Sequence, residues 1–245
     1  MFFFKKKSPP PLNLGWLSID MHSHLIPGID DGAKDIVSSL QMIKGFIDLG
    51  YKKLITTPHV LWEIYPNTSE IIVNGVEELK AAVANEGLVI EIHAAAEYFM
   101  DEHFEEQLRK KTPLLCINNN LVLVEFSMVT APFELQKTIF EMQMQEYQPV
   151  LAHPERYTYL NRNRSTFEDL KTAGCLFQLN LLSLTGYYGR SVQELAEYLL
   201  KNNYYELAGT DLHHPQQLSS LQKLTSSPFY TTMKDSGFIR NFSLL

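Results

Sequence analysis

Residues 17–24 read LSIDMHSH, an apolar β-type run that ends in two histidines spaced two positions apart. Alternate residues of a strand point to the same side, so His22 and His24 can bind one metal ion together. The run therefore predicts a buried strand with two candidate metal ligands at its carboxyl end.

Six further β-type runs follow this first one, and longer helical patterns separate most of them. The alternation favours a parallel sheet flanked by helices, in roughly seven β/α units. No linker or internal repeat divides the chain, which predicts an α/β fold with a single domain, a distorted (β/α)7 TIM-like barrel. The predicted strands are 17–21, 53–57, 89–95, 121–126, 149–152, 176–179 and 205–209, and the predicted helices are 35–49, 69–85, 132–146, 165–173 and 191–202.

Metal-binding residue types recur at the predicted carboxyl ends of nearly all strands. In strand order they are His22 with His24, His59, Glu97, Glu125, His153, and Asp211 with His213. In a β/α barrel these ends form one rim, where such enzymes place their chemistry. A single His or Glu at a strand end is more often a hydrogen-bonded rim side chain. A whole cluster is costly to desolvate unless a ligand compensates, so we predict a metal centre.

Imidazole and carboxylate ligands suit Mn, Fe, Zn and similar divalent ions, and no cysteine belongs to the predicted set. Glu97 and Asp211 are the candidates to bridge two ions. A centre of this kind lowers the pKa of bound water and neutralises phosphate charge during an in-line displacement. His93 and His103 are left out, because one lies well before its strand end and the other falls in a charged helical stretch.

The motifs resemble those of a known superfamily. Residues 20–24 (DMHSH) and 28–32 (GIDDG) look like the opening of the polymerase and histidinol phosphatase (PHP) superfamily. The closer resemblance is to the CpsB/YwqE/CapC-type bacterial tyrosine-protein phosphatases of capsule and exopolysaccharide loci. It rests on the motifs TPH at 57–59, AEY at 96–98, VEFS at 124–127, AHPERY at 152–157 and TDLH at 210–213, which extend the match over nearly the whole chain.

This resemblance implies a barrel of about seven strands that binds three divalent ions, often manganese, with Fe, Zn or Mg as alternatives. By position, the first ion would be held by His22, His24, Glu97 and Asp211, the second by Glu97, Glu125 and His153, and the third by Asp31, His59 and His213. The same comparison makes Arg156, Asp211 and His213 the catalytic residues. The implied reaction is hydrolysis of phosphotyrosine on a partner, a bacterial tyrosine kinase that controls polysaccharide synthesis.

The position and chemistry of Arg156 also suit it to phosphate binding. It lies three residues beyond His153, and its guanidinium matches phosphate oxygens bidentately. The alternative for Arg156 is an ion pair with Glu155 or another rim carboxylate. One departure concerns the stretch after His213, where HPQQ at 214–217 lacks the arginine that some family members carry.

Three alternatives remain open at this point. A small-molecule phosphatase of the same superfamily would use the same metal chemistry in a deeper pocket. A docking module could hold metals without turnover. An amidohydrolase would share the barrel, although no lysine stands at a strand end to bridge two metals. A cysteine-nucleophile phosphatase is excluded, because the positions six residues after Cys116 and Cys175 are Val122 and Leu181 rather than arginine.

Composition sets the remaining limits. A net charge of −7 argues against a dedicated nucleic-acid surface. The two cysteines are expected to be ordinary free thiols. Residues 1–15 are expected to form a flexible lead-in before a metallophosphatase domain at 16–245, because three phenylalanines and three lysines precede a proline-rich stretch. That order does not match a secretory signal, and no run is long enough for a transmembrane segment, so we expect a cytoplasmic enzyme.

Overall fold

A computed structural model of the chain describes residues 11–235 and 237–244. In these ranges strands and helices alternate as the sequence predicts. The strands are β1 Ile19–Asp20, β2 Lys53–Thr56, β3 His59–Val60, β4 Glu91–Ala94, β5 Glu97–Phe99, β6 Leu121–Glu125, β7 Gln148–Ala152, β8 Leu176–Asn180 and β9 Leu207–Gly209. The α-helices are α1 Ile36–Asp48, α2 Ser69–Asn85, α3 Glu102–Lys110, α4 Leu135–Met144, α5 Ser165–Thr172, α6 Arg190–Lys201, α7 Gln217–Leu221 and α8 Pro228–Asp235.

Each of the seven predicted strands overlaps an observed strand, and two short strands are additional. Strand β3 continues the chain direction of β2 after Thr57 and Pro58, and β5 follows β4 after two alanines. Pro58 has no N–H to donate, which accounts for a break in the ladder there. The strands pair in two parallel sheets, in the orders β1-β2-β4 and β3-β5-β6-β7-β8-β9.

Strand β9, at the edge of the second sheet, and strand β1, at the edge of the first, are joined by backbone contacts between the residues that follow them. Ser23 and Leu212 form a parallel bridge. The His24 N–H donates to the Leu212 carbonyl at 3.0 Å, and the Asp211 N–H donates to the His22 carbonyl at 2.8 Å. The residues that follow β1 and β9 are therefore held side by side, although nearly 190 positions separate them in sequence.

The two faces of the strands bury different parts of the core. One face contributes Ile19, Met21, Ile55, Leu123 and Val150 to a small cluster. The other face packs in a larger cluster with the apolar sides of the helices, such as Met42, Ile43 and Phe46 of α1. Because strand side chains alternate, each strand can fill both clusters, and its ends are fixed from two sides.

The local capping signals agree with the observed helix starts. Asp35 caps α1 and accepts a hydrogen bond from the Ser38 N–H at 2.8 Å. Asp101 caps α3 in the same way through the Phe104 N–H at 2.8 Å. Such caps satisfy backbone donors that have no partner inside the helix. Helix α2 has the predicted bounds, whereas α3, α7 and α8 add to the predicted set.

The predicted lead-in at 1–15 is described only in part. Residues 1–10 lie outside the described residues. Leu12 and Leu14 are buried, and the Leu14 N–H donates to the Leu49 carbonyl at 2.8 Å. These two leucines are part of the packed core, so the packed chain starts before residue 16 and residues 11–15 do not behave as a free lead-in.

Both cysteines are free: Cys175 is buried and Cys116 is half-buried. Burial raises the pKa of the Cys175 thiol to about 12. This thiol therefore stays protonated at neutral pH and is a packing residue. Among the described helices, none is both long and apolar enough to cross a membrane.

Candidate metal centre

The predicted site residues come together beyond the carboxyl ends of the parallel strands. Three overlapping groups have nitrogen and carboxylate oxygen atoms close enough to hold an ion. They are His22 with His24, Glu97 and Asp211, then His59 with Glu97 and Glu125, and finally His24 with His59 and His213. Residues from five of the predicted strand ends thus converge on one region.

The first group is fully buried. His22 Nε2 lies 3.1 Å from Glu97 Oε2 and 3.2 Å from Asp211 Oδ1. His24 Nε2 lies 3.5 Å and 3.4 Å from the same two oxygens. The two ring nitrogens are 3.3 Å apart. Two imidazole nitrogens and two carboxylate oxygens thus lie close enough together to hold one ion, and they belong to the four residues that the family resemblance implies for the first ion.

The second group shares Glu97 with the first, and His153 lies beside this group without belonging to it. His153 Nε2 lies 3.0 Å from Glu97 Oε1 and 3.9 Å from Glu125 Oε2. His59 Nδ1 approaches the same pair of carboxylates, at 3.2 Å from Glu97 Oε2 and 2.9 Å from Glu125 Oε1. Glu97 thus faces both groups, in the manner of a bridging ligand. Asp211 directs only Oδ1 to the first group, because its Oδ2 accepts hydrogen bonds from Arg156 and Asn180.

The third group is more open, and Asp31 lies beside two of its histidines. Asp31 Oδ1 lies 3.4 Å from His59 Nε2 and 3.5 Å from His213 Nε2. The His213 ring stacks on His24 with centroids 3.9 Å apart. Asp31 is the most exposed residue of the set, so this group forms the solvent side of the centre.

Close backbone contacts hold the first two histidines. A Cβ at Gly32 would lie 2.3 Å from the His24 Cβ, and a Cβ at Gly209 would lie 2.6 Å from the His22 Cβ. Glycine is therefore required where the chain passes behind each ring. His153 and Asp211 themselves have positive φ angles of 34° and 51°. Non-glycine residues rarely take this conformation, and it concentrates at functional sites.

Hydrogen bonds behind the rings set the histidine tautomers. His24 Nδ1 donates to Asp30 Oδ2 at 2.8 Å, and His22 Nδ1 donates to Gln178 Oε1 at 2.9 Å. Both acceptors are oxygens, so the ring proton belongs on Nδ1 and the Nε2 lone pair faces the centre. The sequence prediction omits Asp30 and Gln178. Their signals are the paired aspartates in GIDDG and an amide near the end of β8.

Arg156 reaches the rim from the loop after β7. Its Nη1 donates to Asp211 Oδ2 at 3.0 Å, and Asn180 Nδ2 donates to the same oxygen at 2.8 Å. Its guanidinium carbon lies 4.7 Å from the centre of the Tyr188 ring. The predicted alternative of an ion pair with a rim carboxylate is therefore realised with Asp211.

Glu155, the other carboxylate considered for Arg156, is turned into the core. It accepts hydrogen bonds from the Asn180 N–H and the Tyr205 hydroxyl, both at 2.9 Å. These bonds anchor the loop that carries His153 and Arg156. Asn180 thereby connects this loop to Asp211, and it is a second amide that the sequence prediction omits.

The electrostatics of the centre are dominated by imidazole–carboxylate pairs. Burial raises the pKa of the Glu97 carboxyl, but His22 and His59 outweigh it and hold the pKa well below its usual range. Burial acts likewise on Asp211, and His22 and His213 outweigh it, so this pKa is also well below normal. Burial and His24 lower the pKa of His59, but Glu97 and Glu125 raise it to about 9. Both carboxylates are thus ionised ligands at neutral pH.

The donor set fits divalent ions. Asp211 Oδ1 and His59 Nδ1 are buried without a well-aligned hydrogen-bond partner, although each lies close to other site atoms. Such orphaned atoms are costly unless a ligand satisfies them. The ligands are imidazoles and carboxylates, which suit Mn, Fe or Zn.

A cavity of about 380 Å³ opens over the centre. Asp31, His59, Glu125, Arg156 and His213 form its polar floor. Its sides are largely apolar and aromatic, formed by Leu61, Tyr65, Phe99, Met128, Tyr187 and Tyr188. A phosphate at the floor would therefore leave room for an aromatic ring between these sides.

Fold and site together define a class of protein: an α/β chain of parallel strands with a cluster of histidines and carboxylates able to bind metal at their carboxyl ends. The chain belongs to the CpsB/CapC family of capsular polysaccharide synthesis, whose model matches residues 18–226. This finding confirms the family resemblance of the sequence motifs.

Individual relatives agree with this family. The tyrosine-protein phosphatase YwqE of Bacillus subtilis is 26% identical over 196 residues, covering 80% of this chain and 77% of YwqE. Among solved structures, one described as YwqE from Bacillus subtilis and CpsB from Streptococcus pneumoniae, unique metal-dependent tyrosine phosphatases, matches with a TM-score of 0.79 at 26% identity, covering 89% of this chain and 87% of that one.

A more distant structure shares the fold. The histidinol phosphate phosphatase of Lactococcus lactis, solved with zinc, L-histidinol and phosphate, has a TM-score of 0.57 at 16% identity. It covers 90% of this chain and 95% of its own length. At this identity the likeness concerns the fold alone.

Proposed function

We propose that this chain is a metal-dependent protein-tyrosine phosphatase, a phosphoric monoester hydrolase that uses a metal-activated water. The observation that carries the proposal is the position of Glu97, whose two oxygens face two adjacent groups of imidazole and carboxylate atoms. Two divalent ions side by side are suited to phosphate ester hydrolysis. The names of the relatives supply the phosphotyrosine class of substrate.

The residues would hold three ions, with manganese first among Mn, Fe, Zn and Mg. Ligands of the first ion would be His22, His24, Glu97 and Asp211, of the second Glu97, Glu125 and His153, and of the third Asp31, His59 and His213. When bound, such ions supply a hydroxide nucleophile at neutral pH and neutralise phosphate charge. The 3.0 Å between His153 Nε2 and Glu97 Oε1 supports the second set, and the 3.4–3.5 Å that separate Asp31 from His59 and His213 support the third. His59 also lies 2.9 Å from Glu125, so it adjoins the second set as well.

Arg156 would contact the phosphate oxygens and stabilise charge that develops during the reaction. Asp211 and Asn180 hold its position from the core side, so the guanidinium is oriented before substrate binds. Besides contributing Oδ1 to the first group, Asp211 orients this arginine. His213 completes the solvent side, where its Nδ1 donates to the Asp211 carbonyl at 2.9 Å and its Nε2 lone pair is left to face the third ion beside Asp31.

The wider assignment follows the same line. The substrate would be a phosphotyrosine protein, a bacterial tyrosine kinase that controls capsular or exopolysaccharide synthesis, and the enzyme would act in the cytoplasm. The residues from 16 onward would form one distorted (β/α)7 barrel, and Leu12 and Leu14 would belong to its core. Seven parallel strand positions and the Ser23–Leu212 bridge support this barrel.

A substrate panel tests the proposal. Manganese-loaded protein is given a phosphotyrosine peptide, histidinol phosphate and a nucleoside monophosphate at equal concentration, and released phosphate is measured. We expect the peptide to have the highest kcat/KM, because the cavity is open and has aromatic sides. Preference for histidinol phosphate would instead assign the protein to small-molecule phosphatases with the same metal chemistry. Absence of turnover with all three would favour a docking module.

A further inference from the structure

A large groove lies beside the cavity over the metal centre. Its volume is about 1170 Å³, compared with about 380 Å³ for the cavity over the metal centre. Leu61 and Phe99 border both the groove and the cavity. The two spaces therefore adjoin, and a chain that leaves the metal centre on this side enters the groove directly.

One wall of the groove is aromatic. Trp62 stacks on His103 with ring centroids 3.9 Å apart and an angle of 9° between the planes. The indole is still 44% exposed, so part of it is available to a bound chain. Phe133, which also lines the groove, is fully exposed. Large exposed aromatic side chains at the edge of a concave surface are typical of binding sites.

The groove is strongly acidic. Its lining carries the carboxylates Glu63, Asp101, Glu102, Glu105, Glu106 and Glu134 against the single arginine Arg109. Lysines outside the lining pair with two of them, through Glu106–Lys110 at 2.8 Å and Glu134–Lys137 at 2.6 Å. For Glu63, Glu102 and Glu105 the part of the chain that is described offers no cation within 4 Å. These three carboxylates leave the groove with an unbalanced negative potential.

From these features we infer that the groove binds the segment flanking the phosphotyrosine in the substrate protein, and that this segment is basic. The inference rests on the proposed tyrosine phosphatase function. Phosphate is directed to the cationic end of the joined space, near Arg156, and the flanking backbone then lies among carboxylates. Lysine or arginine side chains complement that charge and can stack on Trp62, whereas acidic flanks would be repelled.

Matched peptides measure this selectivity. Four phosphotyrosine peptides carry two lysines or two glutamates, on either the amino or the carboxyl side of the phosphotyrosine. We expect one lysine peptide to exceed its glutamate counterpart in kcat/KM by about tenfold at low ionic strength. The ratio should approach one near 1 M salt, because exposed charges are then screened. p-Nitrophenyl phosphate, which has no flanking segment, reports the chemistry alone.

Charge-neutral variants locate the effect. The double variant Glu102→Gln/Glu105→Gln should lower the lysine preference by about fivefold and leave p-nitrophenyl phosphate turnover unchanged. The control Glu77→Gln/Glu78→Gln removes the same charge from exposed positions of α2 outside the groove, and it should keep the preference. Trp62→Ala should raise KM for the lysine peptide without affecting the small ester.

Three results would overturn the inference. The first is equal use of lysine and glutamate peptides, and the second is a preference that survives in Glu102→Gln/Glu105→Gln. The third is a change of self-association, rather than of peptide selectivity, in the groove variants, which would assign the groove to a second copy of the chain. If the protein hydrolyses small phosphate esters but none of the phosphotyrosine peptides, the proposed protein-tyrosine phosphatase function itself would be overturned.

Discussion

Arg156 Nη1 lies 3.0 Å from Asp211 Oδ2, while the other oxygen of Asp211 faces His22 and His24. One carboxylate therefore joins the buried metal-binding group to the cation at the rim. A buried carboxylate between an arginine and two imidazoles stays ionised, and it fixes the direction of each partner.

This relationship predicts that replacing Arg156 lowers activity without removing the metal. Arg156→Ala should keep the bound metal and lower kcat/KM for a phosphotyrosine peptide by about 10²–10³-fold, since a donor to the developing charge is lost. Arg156→Lys should keep only part of the wild-type kcat/KM, because lysine lacks the planar guanidinium that binds two phosphate oxygens at once. Metal content by mass spectrometry and steady-state kinetics check this. Loss of metal in Arg156→Ala would contradict a role in phosphate binding.

The hydrogen bond behind His22 predicts an effect of Gln178 on metal affinity. Gln178→Leu removes the acceptor of the His22 Nδ1 proton and should weaken manganese binding by about 10–100-fold. The matched control is Gln143→Leu, which removes a hydrogen bond to the Ala173 carbonyl outside the site. Calorimetric titration of both variants compares them. Equal affinity in the two would show that Gln178 does not orient His22.

The raised pKa of His59, about 9, predicts a pH dependence of metal affinity. In the metal-free protein this imidazole is protonated at neutral pH, and an ion must displace the proton. Affinity should therefore rise as the pH rises towards 9 and level off above it. Manganese titrations at several pH values, with proton release followed in two buffers, test this sign. Affinity that stays flat between pH 6.5 and 9 would exclude His59 as a ligand.

Metal removal should lower thermal stability. An ion that binds only the folded state raises the free energy of unfolding by about 2.7 kcal/mol at one hundred times its Kd. We expect a chelator to lower the Tm of the wild-type protein and manganese to restore it. Glu97→Gln should show a much smaller shift, since Glu97 contacts two groups of ligands. Melting curves that do not respond to the chelator would argue against bound metal in the folded state.

Much of the fold follows from local patterns in the sequence. Each predicted strand is a short apolar run between helical patterns, and Ser69–Asn85 has its predicted bounds because Thr68 caps its first turn. The division of two strands into β2–β3 and β4–β5 was not predicted. It arises around Pro58 and after Ala95, where the pairing passes from the first sheet to the second, and it therefore depends on contacts with distant strands.

The candidate ligands could be located in the sequence because they are strand-end residues of the right chemistry, and the fold brings most of them together. The residues that hold them could not, because Asp30, Gln178 and Asn180 act through contacts across the fold. The acidic groove was also missed, since α3 and the residues around Trp62 and Phe133 meet only in the folded chain. The aromatic residues inside the motifs, Tyr98 and Tyr157, are core residues, whereas Tyr187 and Tyr188, which lie outside the motifs, border the cavity.

The most direct test of the central claim is phosphate release from a phosphotyrosine peptide as manganese is added stepwise to metal-free protein. The account predicts no turnover without metal and recovery that saturates as the Glu97-centred groups fill, with Glu97→Gln inactive throughout. Turnover that persists in metal-free protein, or full activity in Glu97→Gln, would contradict it.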